Sequence, residues 1–282
     1  MRKCILFIVI VCAFTSAHAA DSTSTDLPRH APASFRNIAS IGIAGGSLVL
    51  STFWAFDEWW KGNSRPFHLL HEGWFDDYSL GIDKLGHFYT SYFYFRLFNN
   101  ILLWGEHDED DAFWWGAGLT ALFAVGVEIG DGLTPYGFSA EDLSSNFLGL
   151  GYAMLQARIP VLRNFTFKWS YIPDRSATAA AHFSRYYDFH TYWLAVNVHE
   201  LLPETMKDYW PEFLQIAAGY STGGGQTRRE GVIGLDFNLE VFQTSNVDLQ
   251  LLEKTVNMFH IPAPGIKFAE RRSPQYKLFY LH

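Results

Sequence analysis

Three short segments place residues able to do chemistry inside otherwise apolar stretches. The first is Asp83-Lys84-Leu85-Gly86-His87-Phe88-Tyr89-Thr90-Ser91. On a helix, residues four apart share a face, so Asp83, His87 and Ser91 form one stripe with Lys84 beside His87. The second, Glu128-Ile129-Gly130-Asp131, puts two acids three apart, again on one face. In the third, Ser139-Ala140-Glu141-Asp142-Leu143-Ser144-Ser145-Asn146, Asp142 and Asn146 are four apart. Ser139 stands three before Asp142, in the manner of a capping box. Taken singly, each has a plain structural use: Asp83 and Ser139 as caps, His87 as a core histidine, Glu128 and Asp131 as a solvated helix end. Taken together they point to one place. A buried unpaired charge is costly, so ionisable groups buried in apolar helices pair with one another, and in an apolar setting they are candidates for function. Antiparallel helices with short loops would set Lys84 and His87 opposite Glu128, Asp142 and Asn146.

Such a cluster of a cation, a histidine and several acids has three uses. It can bind a metal through His87 and carboxylates, run acid–base chemistry through His87 and a carboxylate, or lock helix register. No His-Glu-x-x-His is present, and the one-helix spacing of His87 and its acids is not a specific ligand pattern, so no metal is expected. His68 and His71, three apart, are a separate pair able to reach a metal or a lipid head group. No motif names a cofactor or a catalytic residue. The leading expectation is a membrane-associated envelope protein whose cluster binds a small head group or stabilises its bundle. The rivals are a hydrolase or transferase acting on lipid or cell-wall precursors, and a structural protein that docks another envelope component.

The elements that must position these residues are apolar helices. Asn37 to Phe56 is uncharged for 20 residues, long enough to span a bilayer, and Gly42, Gly45 and Gly46 would admit a second helix. Asp57 to Ile82 reads as an aromatic, histidine-bearing connector. Helices are expected over Asp83–Trp104, Ala112–Val127 and Ser139–Ala157, with an acidic loop at Glu106–Asp111 and a stop at Pro160. Gly126 with Gly130, and Gly149 with Ala153 and Ala157, make small-xxx-small steps suited to close packing. Beyond Pro160 the period becomes two. Phe165, Phe167, Trp169 and Tyr171 alternate with polar residues, as do Ile233, Leu235, Phe237, Leu239 and Val241, the pattern of half-buried strands. Weaker strand signals lie at 191–198, 213–221 and 275–281, a turn at Gly223–Gly225, and a short helix at Asn246–His260. The fold class expected is α+β: an N-terminal bundle of about four apolar helices over 37–160, then a small, mostly antiparallel β region over 161–282. About five strands are too few to close a transmembrane barrel, which needs about eight. A small sheet packed on the helices, with lipid contact open to its aromatic face, is the simpler arrangement.

The N-terminus sets the compartment. Arg2 and Lys3, the apolar run Cys4–Phe14 and Ala17-His18-Ala19 make a signal peptide over 1–19, followed by a flexible polar leader over 20–36. Cys12 follows Val11 inside the apolar run, where lipid attachment would want a small residue before it, so ordinary cleavage near Ala19 is expected. Both cysteines leave with the signal, and the remaining chain then has no disulfide and no thiolate. Loss of Arg2 and Lys3 takes the formal charge from −8 to −10, which argues against a nucleic-acid partner. Aromatic residues are 17% of the chain and charged residues 18%, a balance suited to a membrane–water boundary. Membrane lipid is thus the expected partner, with an envelope protein as a second.

The ordered set Asp83-Lys84-x-x-His87-Phe88-x-x-Ser91-Tyr92, Glu128-x-x-Asp131-Gly132 and Phe138-Ser139-x-x-Asp142-x-x-x-Asn146-x-x-Gly149 resembles the YfiM-type predicted periplasmic lipoproteins. It is more distantly similar to VanZ-like membrane proteins. The resemblance covers roughly residues 40–157. Tyr187-Asp188-x-x-Thr191-Tyr192-Trp193-Leu194 is similar to longer members with an added β region. It implies a cell-envelope location, facing the periplasm, and a helical membrane-associated unit. It supplies no activity, and the VanZ-like link to glycopeptide resistance comes without an established reaction.

Overall fold

The computed structural model describes residues 33–173, 182, 184, 186–242 and 244–280. The expected signal peptide lies outside them, as does most of the leader. Four long helices come first: α1 (Ala33–Ala55), continued by a π-helical turn at Phe56–Trp60, α2 (Ile82–Trp104), α3 (Glu109–Gly132) and α4 (Ala140–Arg158). Helix α1 starts inside the expected leader. Helix α3 takes in part of the expected acidic loop. Glu109, Asp110 and Asp111 form its first turn, where carboxylates face the unpaired N–H groups and the positive end of the helix dipole. At its other end α3 runs past Val127, so Glu128 and Asp131 sit within the helix. Ser139 caps α4, its hydroxyl accepting from the Asp142 N–H at 3.2 Å.

Helix α2 is the inner helix. Its Phe98 and Leu97 pack on Ala44 of α1 and Phe123 and Val127 of α3, while Tyr92 and Phe95 pack on Phe113, Leu150 and Ala153. Gly149 lets α4 lie directly on α2, because a Cβ there would overlap the Phe88 carbonyl oxygen. At Gly42, Gly45 and Gly46, by contrast, nothing lies within 4 Å of where a Cβ would stand, so the close helix approach they suggest does not occur among the described residues.

Two residue pairs, β1 (Leu69–Leu70) and β2 (Phe138–Ser139), form a parallel stitch that ties the connector to the start of α4. The second half of the chain is a six-stranded antiparallel meander. Its strands are β3 (Phe165–Tyr171), β4 (His190–Val196), β5 (Leu214–Gly223), β6 (Arg228–Phe237), β7 (Ala263–Ala269) and β8 (Gln275–Tyr280). The sixth strand, β7, escapes the period-two pattern because Pro264 and Gly265 interrupt its alternation. Strand β6 ends at Phe237, and Leu239–Phe242 is a 3-10 turn where strand was expected. Three short helices, α5 (Val198–Leu201), α6 (Glu204–Lys207) and α7 (Val247–Val256), bring the α-helices among the described residues to seven, where a bundle of about four and a short helix at Asn246–His260 were expected. Helices α5 and α6 are single turns, too short for a 3.6-residue period to register.

The sheet is turned the opposite way from the usual half-buried pattern. In β3 the polar residues Thr166, Lys168 and Ser170 are the buried set, and Phe167 and Trp169 are only partly covered. In β6 Asp236 is fully buried and Ile233 is 55% exposed. The reason is mutual satisfaction inside the curl of the sheet. Lys168 Nζ lies 3.1 Å from Asp236 Oδ2 and donates to the Phe237 carbonyl at 2.7 Å. His260 lies 3.4 Å from the same carboxylate and stacks on Trp193 with centroids 3.9 Å apart. The opposite face of β3 and β4 meets the helices, Phe167 on Phe88 at 4.7 Å and Tyr192 on Tyr89 at 5.8 Å. Beyond that contact, Ile216, Ile233, Ile266 and Leu278 are exposed.

Candidate functional site

The site gathers at one end of the bundle, where α2 begins, α3 ends and α4 begins. Lys84 is 4% exposed and lies 2.6 Å from both Glu72 Oε2 and Asp142 Oδ1, 3.5 Å from Asp83 Oδ2 and 3.6 Å from Asp77 Oδ2. One turn on, His87 Nε2 is 3.8 Å from Asp83 Oδ1 and 4.0 Å from Asp142 Oδ1, and its Nδ1 is 3.5 Å from Glu128 Oε1. Asn146 places its amide nitrogen 3.1 Å from His87 Nδ1 and 3.4 Å from Glu128, and its carbonyl accepts from Ser91 at 2.8 Å. The Ser139 backbone N–H points at Glu128 Oε2 from 3.4 Å. Asp131 stands at the edge, accepting the Trp60 indole N–H at 2.7 Å. Eight of the nine residues singled out in the sequence thus form one linked set. Asp131, the ninth, is joined to α1's end by its own hydrogen bond and acts on His87 only through its charge.

The close approach at Gly149 makes this possible, because it carries Asn146 onto Ser91 and His87 across the α2–α4 interface. The β1–β2 stitch does the same for Glu72 and for His71, whose Nδ1 pairs with Glu141 Oε1 at 2.7 Å. His68 has only the Pro66 carbonyl near its Nδ1, at 3.4 Å, and the two histidines do not share a ligand set among the described residues.

Glu72, Asp77, Tyr78, Glu141 and Tyr187 join the set, though they are not among the nine residues singled out by type and spacing. Asp77 accepts from the Ser79 N–H and hydroxyl and from the Gly81 N–H at 2.7–3.2 Å, and the Ser79 hydroxyl in turn accepts the Asp83 N–H. The string Asp77-x-Ser79-x-Gly81 just ahead of a helix start is a legible turn-and-cap signal. Tyr187, from the segment before β4, donates to Asp83 Oδ1 at 2.8 Å, and Tyr78 donates to Oδ2 at 3.3 Å. No local pattern marks Glu72 or Tyr187.

The electrostatics follow, among the described residues, from five carboxylates sharing two cations. Burial alone would lower the His87 pKa, but Asp83, Asp142, Glu128 and Asp131 outweigh it and raise it to about 9, so the ring is a cation at neutral pH. Burial works to raise Asp83, and His87, Lys84 and the Tyr187 hydroxyl together hold it below its ordinary value. Burial pushes Glu72 up, against the pull of Lys84. Lys84 stays charged well above its ordinary value, its desolvation overcome by Asp83, Asp142 and Glu72. Two sets of groups each bring one potential ligand atom apiece to within 4.8 Å of one another: Asp83, His87 and Asp142, and Glu72, Asp77 and Asp83. Both draw on separate segments of the chain, where a one-helix spacing argument does not reach.

Residues 71–158 match the family model of predicted periplasmic lipoproteins (DUF2279). The matched stretch runs from the connector to the end of α4. It contains all nine sequence-marked residues with Glu72, Asp77, Tyr78 and Glu141, and leaves out Trp60, Tyr187 and the sheet. It also leaves out the N-terminus, so it does not bear on lipid attachment at Cys12. The match supports an exported, envelope-associated protein. No curated protein and no solved structure matches the chain.

Proposed function

We propose that this is a membrane-associated envelope protein in which the polar cluster at the end of the bundle is a binding site for a small, positively charged group. Among the described residues, five carboxylates (Glu72, Asp77, Asp83, Glu128 and Asp142) lie within 4.0 Å of two cations, Lys84 and His87, and that imbalance carries the reading. A lock that only fixed helix register would balance its charges, since surplus buried charge destabilises the fold. Surplus of one sign favours a ligand of the other.

The membrane part rests on the outer faces. Segments Phe35–Trp60 and Glu109–Gly132 are long and apolar enough to cross a membrane. On the outside of α1 and α3, Ile38, Phe53, Trp114, Trp115 and Leu122 are more than half exposed. The polar-in, apolar-out sheet fits the same surroundings. We read α1 and α3 as the spanning helices, with α2 shielded between them and the sheet. The finer kinship to YfiM-type and VanZ-like proteins belongs to this reading.

Two measurements test it. Envelope fractions are washed with high salt and carbonate, then extracted with detergent; release of the protein by the washes would refute membrane embedding. Glu128→Gln is then compared with the native chain by thermal unfolding in detergent. An amide whose oxygen takes the Oε1 place keeps the contacts with Asn146 and His87 and gives up only the long 3.4 Å one from the Ser139 N–H, so relief of surplus charge should leave the melting temperature equal or higher. A sharp fall would make the cluster a structural lock and sink the binding-site reading.

A further inference from the structure

We infer that the charged group this cluster takes is a divalent transition-metal ion, held by Asp83, His87 and Asp142. The inference rests on the cluster being a binding site and names its ligand.

The ligand atoms come from two helices that Gly149 locks together. His87 Nε2 lies 3.8 Å from Asp83 Oδ1 and 4.0 Å from Asp142 Oδ1. Those distances are too long for hydrogen bonds, so Nε2 has carboxylates on two sides and a bond to neither. They are close to the separations of atoms bound to one metal at about 2.0–2.2 Å, and a contraction of a few tenths of an ångström completes the set once the ion takes the place of the Nε2 proton, which is released to solvent. Two carboxylates and one imidazole suit zinc or manganese better than magnesium, which prefers all-oxygen surroundings.

An independent observation comes from the other side of the ring. A histidine that ligates through one nitrogen usually gives its other nitrogen to a carboxylate or carbonyl that sets its orientation. On that side the acceptor is Glu128 Oε1, 3.5 Å from His87 Nδ1; the Asn146 amide nitrogen, 3.1 Å from Nδ1, is itself a donor and only packs on the ring, its carbonyl accepting from Ser91 at 2.8 Å. Asp83 is supported in the same way, with Tyr187 on Oδ1 at 2.8 Å and Tyr78 on Oδ2 at 3.3 Å. Lys84 holds Asp142 at 2.6 Å and keeps Glu72 for itself, so it steadies one ligand and limits the net charge that an ion must offset. Glu128 is a positioning residue here; Asp83, His87 and Asp142 are the ligands.

The test uses the full chain purified in detergent, stripped with chelator and titrated with Zn2+ alone and Mn2+ alone by equilibrium dialysis, with electron paramagnetic resonance of the manganese form. One ion per chain is expected. His87→Ala and Asp142→Asn should abolish that binding, Glu128→Gln should weaken it about 10–100-fold, and the joint replacement His68→Ala with His71→Ala should leave it unchanged. A spectrum showing nitrogen coupling that is lost in His87→Ala would place the ion on the ring. Absence of saturable binding of both ions would overturn the metal inference. So would binding that survives His87→Ala or moves with His68 and His71. Should His87→Ala not fold, a folded Glu128→Gln that binds like the native chain refutes the arrangement instead. Failure of the site reading is seen separately, as a sharp fall in melting temperature of Glu128→Gln without added metal.

Discussion

Replacing Lys84 by methionine is the most demanding perturbation of the site. The side chain keeps its length and loses its charge, 2.6 Å from each of two carboxylates and within 3.6 Å of two more. Removing one partner of a buried ion pair costs about 3–5 kcal/mol, because the remaining charge is left without compensation. Among the described residues four carboxylates are affected and His87 remains near two of them, so the upper part of that range, about 4–5 kcal/mol, applies. For a chain of this size each 1 kcal/mol moves the melting temperature by about 2–4 °C, so a fall of roughly 8–20 °C is expected at pH 7. The carboxylates can regain neutrality by taking up protons. Their pKa values rise once Lys84 is gone, so the deficit should shrink as the pH is lowered toward 5. Thermal unfolding in detergent at pH 7 and pH 5, with the native chain alongside, reads both effects. Lys84→Met within about 1 kcal/mol of the native chain at pH 7, with no recovery at pH 5, would refute the claim that Lys84 compensates a surplus of buried acid.

Three further outcomes are expected. Gly149→Ala should lower stability by about 1–3 kcal/mol despite the better helix propensity of alanine, because the new Cβ meets the Phe88 carbonyl, which cannot rotate away; an unchanged unfolding midpoint would contradict the α2–α4 contact. Tyr187→Phe should cost about 1.5–3 kcal/mol and more than Tyr78→Phe, since its bond to Asp83 is the shorter, 2.8 against 3.3 Å; equal effects in urea unfolding would refute that order. Asp188 accepts from the Gly225 and Gln226 N–H groups, the Thr222 hydroxyl and the Gln226 amide, which outweigh its burial and hold its pKa below the ordinary value. The stability it adds is complete above the unfolded-state value of about 3.9 and is lost as the pH falls through its lowered folded value. Asp188→Asn should therefore remove part of the acid dependence of stability, and parallel pH profiles for variant and native chain would exclude this role.

Local pattern and tertiary structure divided the work unevenly. The four long helices were legible because their apolar runs and caps are local: Ser139 ahead of Asp142 caps α4, and Pro160 follows its end. The core of the cluster was legible for the same reason, since buried charges must find partners and three segments carried them. Strand periodicity located β3 and β6 but left open which face is the interior one. An alternating strand does not say which side is covered, and only Lys168, Asp236 and His260 meeting across the sheet make the polar side the inner one. Glu72 and Tyr187 joined the site without any local mark, since each arrives from a distant segment, Glu72 through the β1–β2 stitch and Tyr187 from the chain entering β4. Sequence alone determined which helices form and that their ionisable groups needed one another. The packing at Gly149 and the return of the sheet against α2 decided which groups meet, and so set five carboxylates against two cations, because long-range proximity depends on how apolar faces fit and not on the spacing within any one helix.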